Sequence, residues 1–131
     1  MKFSDQIPPV YQRCHDVFGV NWNKGIIITY GDTIYCKYEL PEWKIVHEET
    51  HIKQQKLIDK DEWWEKYFVD ESFRLSQEVE AYQNEARWIK KNIKDRNQQF
   101  KLLHQIVIDL SSSIYGNICT AEEARQFLST V

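Results

Sequence analysis

Cysteine is scarce in this chain: Cys14, Cys36 and Cys119 are widely spaced and odd in number. They form neither a metal-knuckle spacing nor a disulfide framework, which favours a reducing compartment and a cytoplasmic location. Long apolar runs are also missing. No segment approaches the length of a transmembrane helix, and residues 1–5 lack the apolar stretch of a secretory signal. Charge of either sign is nearly balanced at a net −3, so neither nucleic acid nor a membrane is an expected partner. The one cationic run, residues 90–96, is interrupted by Asn92, Ile93 and Asp95 and reads as a solvated helix end. Repeats, linkers and low-complexity segments are absent too. What remains is 131 residues, 42% hydrophobic and 28% charged, the size and balance of a single globular domain over 1–131. Five Trp and seven Tyr suggest bulky packing or a stacked groove.

Apolar periodicity outlines the elements. Asp5 or Ser4 is a candidate cap for a first helix, with Pro8 and Pro9 in its first turn. Val10, Tyr11, Cys14, Val17 and Phe18 follow at helical spacing, and Gly19 is a suitable stop. Cys14 then belongs to the core, and His15 is an ordinary surface histidine. Two β-branched and aromatic runs, 26–30 and 33–38, flank Gly31–Asp32 and predict a hairpin, with residues 20–22 as a further strand. A helix opening at Pro41 runs to about Asp59. Residues 61–68 read as a short aromatic helix or turn, with Trp63, Trp64, Tyr67 and Phe68 as core rather than cleft. Asp70 or Ser72 caps a long amphipathic helix marked by Leu75, Val79, Tyr82, Ala86, Ile89 and Ile93. Phe100, Leu103, Ile106, Val107, Leu110 and Ile114 mark another helix, ended by Gly116, with His104 at its core edge. Thr120 and Glu123 form a capping box for a last helix over 121–129. The fold class is α+β, mostly helical: a small sheet packed on the helix from Pro41 and on the long helix that follows.

The chemistry centres on His47–Glu48–Glu49–Thr50–His51, an HExxH pattern inside the helix from Pro41. Four residues apart, His47 and His51 share one face within reach of one metal ion. Glu48 lies about 100° round the helix, beside the ion rather than bonded to it. Two imidazole ligands with an adjacent carboxylate to take a proton from water is the donor set of a zinc hydrolase. Such a site needs a third protein ligand. The long helix carries two candidates, Glu78 and Glu80. On a helical wheel Glu78 lies about 60° from the centre of the apolar stripe and Glu80 about 140° away, so Glu78 borders the buried face.

An HExxH helix, a hairpin before it and a following helix carrying Glu78-Val79-Glu80-Ala81 together resemble the gluzincin zinc metallopeptidases. The small size resembles their minimal members, the minigluzincins, and short HExxH proteins of phage and bacterial genomes. The resemblance covers roughly residues 26–89. It implies Zn²⁺ held by His47, His51 and Glu78, Glu48 as general base, and a peptide or protein substrate paired along the strand at residues 33–38. Where the family carries an aspartate that orients a zinc histidine, this chain has Tyr82. Tyr82 itself, Asn84, Gln54 or a backbone carbonyl would then supply that contact. Tyr82, Tyr115 and His104 are candidates, by chemical type alone, to steady an oxyanion.

The expected activity is zinc-dependent hydrolysis of peptide bonds. Its alternatives are an inactive zinc-binding scaffold and a regulatory or assembly partner protein. Zinc is favoured by a His₂Glu set, which also accepts Mn²⁺, Co²⁺ or Ni²⁺.

Overall fold

A computed structural model describes residues 1–131. The hairpin forms where the turn residues place it: β2 (Ile28–Tyr30) and β3 (Thr33–Tyr35) run antiparallel, and Gly31 takes φ 64° in the turn between them. A third strand, β1 (Lys2–Ser4), pairs parallel with β3. Residues 2–4 therefore extend a sheet instead of capping the first helix. The order β1-β3-β2 puts β3 in the middle. It is not the exposed edge that the resemblance implied; the edge strands are β1 and β2. Residues 20–22 add no strand, and Trp22–Lys24 forms a 3-10 turn capped by the Asn21 side chain.

Six helices follow the predicted order. Helix α1 (Tyr11–Phe18) ends on Gly19, whose φ of 71° suits the left-handed C-cap. Helix α2 (Glu42–Ile58) starts after Pro41. Helices α3 (Lys60–Val69), α4 (Glu71–Asn92) and α5 (Arg96–Leu110) are capped by Asp59, Asp70 and Asp95, each accepting from backbone N–H groups of the first turn. Helix α6 (Ala121–Ser129) begins with the Thr120/Glu123 capping box. Helix α5 stops at Leu110, before the predicted Gly116, and a 3-10 turn at Ser113–Tyr115 intervenes.

Three apolar clusters hold these elements. Ala86, Ile89, Ile106, Leu110, Ala124 and Leu128 join α4, α5 and α6. Cys14, Ile28, Trp63, Trp64, Tyr67 and Phe68 join α1, the sheet and α3, so the aromatic segment is core as predicted. Ile34, Cys36, Leu40 and Ile52 lie between sheet and α2. Phe100 is outside the core at 70% exposure. His104 stacks on it with ring planes 2° apart and is exposed, which removes it from the oxyanion candidates.

Helix α2 is unusual in what it buries: His47, Glu48, Thr50, His51, Gln54 and Gln55, with Ile52 the sole aliphatic residue. Burying polar groups costs stability unless each finds a partner. The partners come from the sheet and α4. Gln55 donates to Thr29 O at 2.9 Å and accepts from Gly31 N at 2.7 Å, pinning β2 to α2. On α4, the fully buried Ala81 lets the two helices approach closely.

The junction of α2 and α3 turns on Asp59, at φ 134° and ψ 141°. This is backbone that glycine adopts with least strain, yet Asp59 also caps Asp61 N and Glu62 N. Asp59→Ala loses the cap and keeps the strain, and is expected to cost about 1 kcal/mol in urea unfolding. Asp59→Gly keeps the stability within about 0.5 kcal/mol of wild type or raises it. Equal losses in both would show that strain is absent from this junction.

Candidate metal centre

Helix α2 carries His47 and His51 one turn apart, and α4 crosses behind them with Glu78. The three ligand atoms converge within 4.8 Å of one another, all in buried residues. His47 Nε2 lies 3.1 Å from His51 Nε2 and 3.2 Å from Glu78 Oε1, and His51 Nε2 lies 3.3 Å from Glu78 Oε2. A tetrahedral ion with bonds of about 2.0–2.1 Å requires ligand atoms about 3.3 Å apart. A void of about 60 Å³ borders these residues together with Glu48. Water occupies about 30 Å³ in the liquid, so the void admits an ion and a small ligand. Glu78 Oε1 is buried with no hydrogen-bond donor aimed at it. Its other oxygen accepts from Tyr67 Oη at 2.6 Å. An oriented carboxylate with one bare oxygen facing two imidazoles is suited to a cation. The group fits a metal ion.

The two histidines are backed differently. His51 Nδ1 lies 2.8 Å from Gln54 Oε1, while the Gln54 amide nitrogen donates to Gln77 O at 3.0 Å and to Glu80 Oε1 at 2.8 Å. Those two donations leave the Gln54 oxygen facing the imidazole, so His51 carries its proton on Nδ1 and turns Nε2 to the cluster. Glu80 is thus a surface residue bracing Gln54, not a ligand. His47 Nδ1 lies 3.1 Å from Glu85 Oε1, but off the line of a well-directed hydrogen bond, and has no other partner. Tyr82 packs its ring edge-on to His47, centroids 4.3 Å apart, and turns its hydroxyl to Tyr115 at 2.6 Å. Of the contacts considered from sequence, Gln54 is realised, at His51. Tyr82 and Asn84 make none to a histidine nitrogen; Asn84 instead donates to Thr50 Oγ1 at 3.0 Å.

Glu48 stands beside the ligands. Its Oε2 is 3.7 Å from His47 Nε2, and its Oε1 accepts from Thr29 Oγ1 at 2.9 Å. Strand β2 therefore sets the angle of this carboxylate. A cavity of about 280 Å³ opens from His47 and Glu48. Its walls include Cys14, Phe18, Ile26, Ile28, Trp64 and Tyr67, with Lys44, Asp109, Tyr82 and Tyr115 on the other side. Trp64 and Tyr67 thus serve the core and the cleft together. Burial pushes the Cys14 thiol up to about 12, leaving it protonated and inert.

Burial acts to depress both imidazole pKa values, but the neighbouring carboxylates outweigh it. Glu48, Glu78 and Glu85 push His47 up to about 10, and Glu78 raises His51. Against its own burial, Glu78 is held well below the usual carboxylate range by the two histidines. The buried carboxylates thus favour positive charge between the two histidines, which a cation would supply.

Reading the sequence alone missed Thr29, Tyr67, Lys44 and Glu85. Two of these left a signal. Glu85 is seven residues past Glu78, within about 20° of it on the same wheel. Thr29 is the polar residue between Ile28 and Tyr30. Comparison with family models, curated proteins and solved structures finds no match to this chain. No helix is long and apolar enough to cross a membrane.

Metal analysis of purified protein is expected to find one equivalent bound by wild type and by Glu80→Ala, and loss of metal in Glu78→Ala and His51→Ala. Full occupancy in Glu78→Ala would remove Glu78 from the ligand set. Because a metal ligand must be a neutral imidazole, loading at about pH 7.5 is expected to expel at least one proton per ion, with affinity rising as pH approaches the raised His47 value. An indicator dye in weak buffer reads this, and uptake without proton release contradicts it.

Proposed function

We propose that this chain is a zinc-dependent metallopeptidase of the gluzincin type, with His47, His51 and Glu78 as ligands and Glu48 as general base. The observation that carries the reading is Glu48: a buried carboxylate next to the ligands, outside their set, held by Thr29 and open to a cavity. A His₂Glu donor set suits zinc. Zinc held there supplies Lewis acidity to a carbonyl and acidifies water. Glu48 takes the proton from the attacking water and returns it to the leaving amine. Thr29 keeps the Glu48 carboxylate turned toward the cluster during both transfers. Tyr115, its hydroxyl paired with Tyr82, is a phenol on the cleft wall able to donate to a developing oxyanion.

The substrate would lie extended along residues 25–28, which line the cleft just ahead of the edge strand β2. The apolar wall of Phe18, Ile26, Ile28 and Trp64 favours a bulky apolar side chain beside the scissile bond. A metal-binding scaffold without turnover is the second reading, supported by the depth of the site, where His47 is 3% and Glu78 3% exposed.

Glu48→Gln separates the two. Under the peptidase reading it binds zinc as wild type does and lowers cleavage of a diverse peptide library by about 10²–10⁴-fold, read by mass spectrometry. Thr29→Val lowers it less. Zinc-loaded wild type that cleaves nothing in the library supports the scaffold instead.

A further inference from the structure

We infer that Glu85, held by Lys44, is the positioning residue of His47 and performs from one turn further along α4 the task that an aspartate at the position of Tyr82 was expected to perform. The inference rests on the metal-binding reading of His47, His51 and Glu78, and is independent of peptidase activity.

Helical register brings the parts together. Glu78 and Glu85 are two turns apart on α4, so both carboxylates face α2. His47 lies between them. Glu78 Oε1 is 3.2 Å from its Nε2, and Glu85 Oε1 is 3.1 Å from its Nδ1. Tyr82, on the turn between, fills the space against the imidazole with its ring and spends its hydroxyl on Tyr115. The longer glutamate side chain then reaches the ring nitrogen from the next turn.

Glu85 is among the most buried side chains of the protein at 1% exposure. A carboxylate there needs a cation close by. Lys44 supplies it, with Nζ 3.2 Å from Glu85 Oε2. Lys44 lies one turn before His47 on α2. Its ammonium also sits 5.5 Å from the Tyr82 ring centre and 4.0 Å from Asp109 Oδ2 on α5. Lys44 thereby spans both Glu85 oxygens, Oε2 at 3.2 Å and Oε1 at 3.4 Å, and Oε1 also lies 3.1 Å from His47 Nδ1. His47 Nδ1 has no other partner, so a Glu85 carboxylate brought into line by a small rotation would select the imidazole tautomer that carries its proton there and leave the Nε2 lone pair for the ion. The two histidines are therefore braced differently: His47 by a carboxylate with its own counter-ion, His51 by the neutral amide of Gln54.

The test is zinc affinity, measured by competition with a chromophoric chelator, beside the visible spectrum of the Co²⁺-loaded protein. Glu85→Gln is expected to weaken zinc binding about 10–100-fold while the tetrahedral Co²⁺ bands persist, since the ligands remain. Lys44→Met is expected to weaken binding, and Lys44→Arg to restore most of it. Wild-type zinc affinity in a folded Glu85→Gln overturns the inference, even if its melting temperature falls. Should that variant not fold, nitrogen-15 NMR of zinc-loaded wild type reads the same claim directly. A proton on His47 Nδ1 supports it, and coordination through Nδ1 overturns it. Failure of the wild type itself to take up zinc would remove the metal reading, and is distinguished by occurring without any substitution.

Discussion

Everything in this fold answers to one constraint: three carboxylates, Glu48, Glu78 and Glu85, are buried together between α2 and α4. Isolated charges of this kind are not stable in a protein interior. Lys44 balances one of them. The other two face the paired imidazoles around the space that a divalent cation would fill. The raised His47 and His51 values and the depressed Glu78 value reflect the attraction between these groups. The spacing of the three groups and the bare Glu78 oxygen suit such a cation.

The scaffold serves that cluster from every side. Gln55 ties the hairpin to α2, and through the hairpin Thr29 reaches Glu48. Helix α3 brings Tyr67 to Glu78 and Trp63 against His51. The first and last parts of the chain, which the gluzincin resemblance leaves unexplained, also meet the site. Helix α1 contributes Cys14 and Phe18 to the cleft, while Asp109 of α5 and Tyr115 of the following 3-10 turn form its opposite wall. Arg74 locks that turn, donating to Tyr115 O at 2.8 Å and to Tyr67 O at 2.7 Å. A domain of this size thus uses most of its elements to shape one pocket.

Local signals were legible where a single residue type dictates the backbone. Gly31–Asp32 announces the hairpin, Thr120 with Glu123 announces α6, and the spacing of His47 and His51 announces the paired imidazoles that could hold a metal. Helical geometry separated Glu78 from Glu80, because a charge bordering an apolar stripe differs from one facing away. Long-range pairing was not legible. Strand β1 is three residues long and finds its partner some thirty residues later, which puts β3 in the middle of the sheet where the resemblance implied an edge. Glu85 has a related origin: the family pattern places the carboxylate at position 82, whereas in this fold a carboxylate comes near His47 from the next turn. On α5 the apolar run is wider than the face that packs, so Phe100 and His104 were read inward and lie outward.

X-ray absorption at the zinc edge of stoichiometrically loaded protein reads the donor set itself. Two imidazole nitrogens and a carboxylate oxygen at about 2.0–2.2 Å, with no sulfur neighbour, are expected. Sulfur scattering at about 2.3 Å, or a shell without two imidazoles, would contradict that set.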